Sequence, residues 1–211
     1  MSINLEKFKN KILEYRIKGE PEKGIKLIEQ YLKNHPSTDE IMLDSAFFLY
    51  HYPYRARESI PQKEKIKYLN QAKKICQEII NKDKNIKNKI TFNTLLTLIK
   101  IYALLKNKKA ITLAKKAYYL KKRYAALHSL ADAYEDLGQM KKAFYWRKKA
   151  VEIVKSEEIV FAKADLAMFY IKISKKDAAK KQIKKILEHK PKNEAEQFLF
   201  QHLNNILLQI K

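Results

Sequence analysis

The sequence predicts an all-α protein made of repeated helical hairpins. Three observations predict it. Only three glycines and five prolines occur in 211 residues, too few for the many tight turns of a β-sandwich or barrel. Apolar residues recur at three- and four-residue steps, as in Leu127, Leu130, Ala131 and Tyr134, the stripe of an amphipathic helix. One register also recurs: Tyr15, Gly19, Gly24, Ile28, Tyr31 and Pro36 stand at the same relative positions as Tyr134, Gly138, Ala143, Arg147, Ala150 and Lys155. Self-similarity at a fixed spacing is the mark of a repeat array.

The best-preserved unit is Leu127–Ala150. Two antiparallel helices approach to about 8–10 Å only where small side chains meet, which Ala131, Ala143 and Ala150 provide. Gly138 stands where the first helix must end, and it tolerates the left-handed conformation of such ends. Arg147 occupies the inner stripe of the second helix, between those alanines. Phe144, Tyr145 and Trp146 cannot all face inward, because successive helical positions differ by about 100°.

Taken in order, a first hairpin runs from about 3 to 36, with Gly19-Glu20-Pro21 as its turn. The second repeat, 37–84, opens on Ser37-Thr38-Asp39-Glu40, which has capping-box spacing, and its first helix should end near Tyr52. The segment 53–61, with Arg55, Arg57 and Tyr54, interrupts the pattern as a lengthened connection, and Ser59-Ile60-Pro61-Gln62 offers a new helix start. A polar Lys/Asn linker precedes the third repeat, 87–121. There Tyr102 and Ala110 are one residue closer than Tyr134 and Ala143, predicting a shorter or differently built turn. The fourth repeat covers 124–157. The fifth, 158–191, carries Leu166, Ala167, Tyr170, Ser174, Ala179 and Ile186 at the same spacing, with Ser156 as the cap of its first helix and Ser174 opening its second. A final amphipathic helix, 193–210, begins with cap spacing at Asn193–Glu196 and should cover the apolar face of the last repeat. The whole reads as one domain, 1–211.

These positions resemble the tetratricopeptide repeat (TPR). The resemblance covers most of the chain, with Arg147 where the family has an aromatic residue. It implies a right-handed superhelix, an α-solenoid of about five hairpins plus a capping helix. It also implies a concave groove lined by the first helix of each hairpin and binding a protein or peptide. Carried over position by position, the groove would be lined by Asp44, Phe48, His51, Tyr52, Asn93, Lys100, His128, Asp132, Asp136, Phe161, Met168 and Lys172. His128, Asp132, Glu135 and Asp136 form an acidic strip, since residues one turn apart share a face; it either suits a basic or amphipathic peptide or serves to neutralise nearby lysines. Chaperone-tail binding does not fit: Lys9 matches one required position, but Leu13 replaces a required Asn. The runs 61–83 and 95–120 are also similar to the sensor half of Gram-positive peptide-sensing regulators, without their helix-turn-helix.

Charge supplies the rival reading. The net charge is +22, and dense positive charge attracts phosphates. RNA, DNA or another polyanion would meet the second helices through Lys141, Lys142, Lys148, Lys149, Lys176, Lys180, Lys181, Lys184 and Lys185. Yet only Arg16, Arg55, Arg57, Arg123 and Arg147 among the basic residues are arginines, and arginine is the residue that reads bases in a bidentate way. The single cysteine, Cys76, lies in an apolar stripe and reads as a buried hydrophobe. No HExxH, Cys/His cluster or glycine-rich phosphate loop occurs, so no catalytic site, metal or cofactor is expected. The N-terminal segment MSINLEKFKNK lacks the apolar core of a signal peptide. No apolar run is long enough to span a membrane, so a cytoplasmic protein without membrane insertion is expected.

Overall fold

The computed structural model describes residues 5–18, 20–34, 38–55, 60–154 and 158–210. Among them are eleven α-helices and no strand: α1 (Leu5–Lys18), α2 (Pro21–Asn34), α3 (Asp39–Arg55), α4 (Gln62–Lys82), α5 (Lys89–Leu104), α6 (Lys109–Leu120), α7 (Tyr124–Asp136), α8 (Met140–Ile153), α9 (Ile159–Lys172), α10 (Lys176–Leu187) and α11 (Glu194–Gln209). The chain forms two compact units, residues 1–113 and 114–211.

In the first unit, α1 and α2 are joined by a ring stack of Phe8 on Tyr31, with centroids 4.1 Å apart. Gly24 lets α2 approach α3, because a Cβ there would lie 2.4 Å from the Phe48 ring. Lys82 at the end of α4 reaches Asp39 at the start of α3 at 2.6 Å, as an antiparallel pair requires. Cys76 is fully buried, and burial pushes its thiol up to about 12, so it is inert at neutral pH. Helix α5 is buried on nearly every side, with Phe92, Leu95, Leu98, Ile99 and Ile101 all within the core.

Several local expectations change. The interruption after Tyr52 begins later, because α3 continues through Pro53 to Arg55; a proline in a last turn removes only one bond near a fraying end. Ser37, Ser59 and Ser156 lie outside the described residues. Thr38 accepts from the Ile41 amide at 3.4 Å, and α4 and α9 start without a side-chain cap. The linker before α5 is a built cap: the Asp83 carboxylate accepts from the Lys87 and Asn88 amides, and Asn88 Oδ1 accepts from Thr91 N at 2.7 Å. Ile86 plugs it into the core at 3% exposure.

The hairpin turns share one design. In three of them the residue four after the repeat-register tyrosine has a positive φ: Lys106 (55°), Gly138 (76°) and Ser174 (61°). The next amide returns to the tyrosine carbonyl at 2.8 Å, from Asn107, Gln139 and Lys175 to Tyr102, Tyr134 and Tyr170. This satisfies carbonyls that every helix end leaves orphaned. The third turn is therefore not differently built, although its buried alanine face starts one residue sooner, at Ala110. Ser174 ends α9 rather than opening α10. A non-glycine residue in this conformation costs about 1–2 kcal/mol, whereas glycine loses about 0.5–1 kcal/mol of unfolded-state entropy. Ser174→Gly is thus expected to stabilise by up to about 1 kcal/mol, measured by urea unfolding, and Gly138→Ala to destabilise by a similar amount.

The second unit has two adjoining cores. Leu127, Ala150, Val154 and Ala162 form one; Ala164, Ala167, Ile183, Ile186, Phe200, Leu203 and Ile210 form the other. Asn193 caps α11 by accepting from Glu196 N at 2.9 Å, and Glu196 accepts in return from Lys192 N at 2.8 Å.

Candidate functional site

The first helices of the second unit, α7 and α9, meet side chain to side chain at an offset of 37 residues. The Tyr124 and Phe161 rings lie 6.4 Å apart, His128 pairs with Asp165, and Glu135 pairs with Lys172. Between them rises Arg147 from α8. Its guanidinium contacts Asp132 at 2.7 Å, Glu135 at 2.8 Å and Asp165 at 3.1 Å, and it stands 5.3 Å from the Phe169 ring centre. The arginine side chain is only 8% exposed. Burial disfavours its charge, but Asp132, Asp165 and Glu135 outweigh that and raise its pKa. Three helices are thereby joined through one cation, which explains why the inner stripe tolerates an arginine where an aromatic is usual.

His128 adds the titrating element. Its imidazole lies against Asp165, 3.4 Å from Asp132 and beside the Tyr124 ring. Burial works against the imidazolium, yet the two carboxylates prevail and raise its pKa above the ordinary 6.5, with Arg147 opposing. Burial and Asp165 push the Tyr124 hydroxyl up as well. The histidine therefore stabilises the fold fully below about pH 6.5 and loses that contribution as pH rises through the raised folded value. A wild-type melting temperature that falls between pH 6 and 8.5 more than that of His128→Gln is the expected result; parallel profiles would remove this role.

The structure sorts the sequence-derived residues. His128 and Asp132 come together as expected, but the Asp132 oxygens go to Arg147 and His128, so this carboxylate is an internal anchor. Asp136 and Phe161 are partly exposed, and Met168 is 38% exposed on α9. Lys172 is exposed and turned to Glu135. In the first unit, Phe48 is a correction: it is 6% exposed and packs on Gly24, so it presents no binding surface. Asp44 is exposed but pairs with Lys9 at 3.4 Å. Asn93 is exposed, Lys100 and His51 are partly buried, and the His51 ring stacks on Phe47. The Tyr52 side chain lies outside the described residues. Asp165 and Tyr124 were not singled out by sequence. Their signal was the isolated Arg147 on a small-residue stripe, which demanded counter-charges on the neighbouring first helices.

Helix α7 differs in charge from the second helices, although its neighbour α9 carries Lys163 and Lys172. Helix α7 carries Asp132, Glu135 and Asp136 and no Lys or Arg. Helix α8 carries five basic residues against Glu152, and α10 five lysines against Asp177. Lys141, Lys142, Lys148, Lys176, Lys181, Lys184 and Lys185 are exposed, and Lys149 and Lys180 partly so. Among the described residues, no three His, Cys, Asp or Glu side chains are placed to share a metal ion, and no helix is long and apolar enough to cross a membrane.

No family model matches the sequence, and no curated protein matches it. Solved structures do. TTC0263, a thermophilic TPR protein of Thermus thermophilus, superposes with a TM-score of 0.58 at 17% identity, covering 94% of this chain and 97% of its own. The nearly identical TPR-like repeats described for a Podospora anserina kinesin light chain give 0.60 at 19% identity, over 86% of this chain and 92% of theirs. MamA of Desulfovibrio magneticus RS-1 gives 0.52 at 14% identity, over 86% and 92%. At such identities the likeness is one of fold, and it agrees with the shared turn and the alanine-lined hairpins. The chain has the fold of a tetratricopeptide-repeat protein.

Proposed function

We propose that this chain is a non-enzymatic, cytoplasmic scaffold that binds an amphipathic peptide along α7 and α9 of its second unit. The observation that carries the reading is the charge of α7: three acids and no Lys or Arg in a chain of net charge +22. Arg147 and Lys172 engage Asp132 and Glu135. Asp136 and Phe161 are partly exposed and Met168 is 38% exposed, and we read these three as a mixed apolar and acidic strip for a partner. An amphipathic segment with apolar anchors and a flanking cation complements it. Helix-face recognition of this kind needs a few apolar contacts and rim charges rather than a deep cavity.

The test is selection from a displayed random-peptide library on the purified chain, followed by affinity measurement. Peptides enriched for apolar residues beside Lys or Arg are expected. Their affinity should fall at least about tenfold, the equivalent of 1.4 kcal/mol, for Met168→Glu combined with Asp136→Lys. Asp132 is unsuitable for this purpose because its loss breaks the Arg147 cluster. Selected peptides indifferent to the double variant would sink the proposed surface.

A further inference from the structure

The α6–α8 face of the second unit carries a row of four aromatic rings. Tyr119 lies 5.7 Å from Tyr118, Tyr118 is 5.6 Å from Trp146, and Trp146 is 5.3 Å from Tyr145. The inner two rings, Tyr118 and Trp146, are partly buried against the first core, whereas the ends of the row are open: Tyr119 is 76% exposed and Tyr145 56%. Their neighbour Phe144 shows what covering looks like, since Phe169 and Tyr170 lie against it at 5.9 and 5.7 Å. Among the described residues of the second unit, nothing covers the two end tyrosines to that extent. Leaving two large rings in water forfeits the burial that usually places them.

The charge around the row is predominantly positive, with Glu152 as the acid on α8, paired to Lys149 at 3.1 Å. Lys115 and Lys116 are exposed on α6. Lys149 on α8 is partly exposed and its ammonium pairs with Glu152, and Lys148 sits over the Phe144 ring at 5.8 Å.

We infer that this face is a docking surface for single-stranded nucleic acid, with Tyr119 and Tyr145 as stacking platforms and the flanking lysines meeting the phosphates. The combination is the physical requirement for holding an unpaired strand: ring faces that accept any base, set in a basic field that follows the backbone. A duplex hides its base faces and fits such a row poorly. Tyr and Trp also suit a bilayer interface, but insertion into an anionic bilayer needs apolar side chains beyond them, and the aliphatic residue beside the row is Leu120, at 43% exposure. The shortage of arginine, which weakens any case for reading sequence, then has a consequence: binding is indifferent to sequence and selective for strandedness. This surface lies on the second helices and does not depend on the peptide-binding reading of α7 and α9.

Trp146 is the sole tryptophan, so its fluorescence reports on this face alone. The full chain is titrated with an oligouridine of about 20 nucleotides, with duplex RNA of equal length, with heparin, and with vesicles of phosphatidylcholine and phosphatidylserine. Oligouridine should quench Trp146 and bind at least about tenfold more tightly than the duplex. Its affinity should fall with rising salt. Tyr119→Ala with Tyr145→Ala should weaken oligouridine about tenfold or more while keeping the salt slope. Lys115→Glu with Lys116→Glu should instead flatten that slope. All these side chains are partly or fully exposed, and an unchanged thermal melt confirms an intact fold. Equal binding of single strand, duplex and heparin, untouched by the tyrosine changes, would overturn the inference as simple polyanion attraction. A blue shift with vesicles and no response to oligouridine would overturn it in favour of a membrane surface.

Discussion

Arg147→Met is expected to destabilise the second unit by about 3–5 kcal/mol, the cost of removing one partner from a buried ionic cluster. The reason is the state of what remains. Asp132, Glu135 and Asp165 have side chains only 20%, 13% and 24% exposed, and without the guanidinium they face one another with His128 and Lys172 as the neighbouring cations. Lost packing on Phe169 adds to the effect. Much of the loss is uncompensated charge rather than lost attraction. Adding Asp132→Asn and Asp165→Asn to Arg147→Met should therefore recover part of it, although each aspartate change alone destabilises. Urea unfolding of the single, double and triple variants measures this non-additivity. A loss below about 1 kcal/mol for Arg147→Met, or strictly additive changes, would mean the cluster is an ordinary surface ion pair.

This cluster also marks the boundary of what the sequence could tell. The hairpins were legible because their determinants are local or periodic: apolar stripes, alanines at crossings, Gly138 at a turn, Asn193 three residues before Glu196. The position of Arg147 on the inner stripe was legible too. Its partners were not, because Asp165 lies 18 residues further along and on a helix whose lateral offset from α7, 37 residues, is set by packing. For the same reason Asp132 read as a ligand contact. One helical face holds both groove and interior, and spacing alone does not separate them. Phe48 failed through a different cause, the close approach of α2 at Gly24, which is a tertiary fact. The turn at Lys106 misled because a lysine hides a left-handed residue that a glycine would announce. Tyr119 and Tyr145 stand two residues after the buried Ala117 and Ala143, off the inner stripe, but spacing alone does not tell whether a neighbouring helix covers them.

Removing residues 193–211 is expected to leave an insoluble or non-cooperatively melting protein, whereas softening the outer face of α11 should do almost nothing. The helix buries Phe200, Leu203 and Ile210 against Ala164, Ala167, Ile183 and Ile186. Each such side chain is worth about 1.5–3 kcal/mol, so the deletion removes an amount comparable with the whole stability of a small unit, about 5–15 kcal/mol. It also uncovers an apolar patch on α9 and α10, a surface that invites association. A point change isolates the packing: Leu203 is fully buried, and Leu203→Ala should cost about 2–5 kcal/mol. Phe198 and Leu208 lie on the other side of the helix at 75% exposure each, and Phe198→Ser with Leu208→Ser should shift stability by about 0.5 kcal/mol or less per site. Thermal melts and size-exclusion chromatography compare the variants directly. If the buried and exposed substitutions destabilise alike, α11 acts through helix formation in general rather than by covering the preceding hairpin. A soluble deletion that melts cooperatively at the wild-type temperature would remove the covering role altogether.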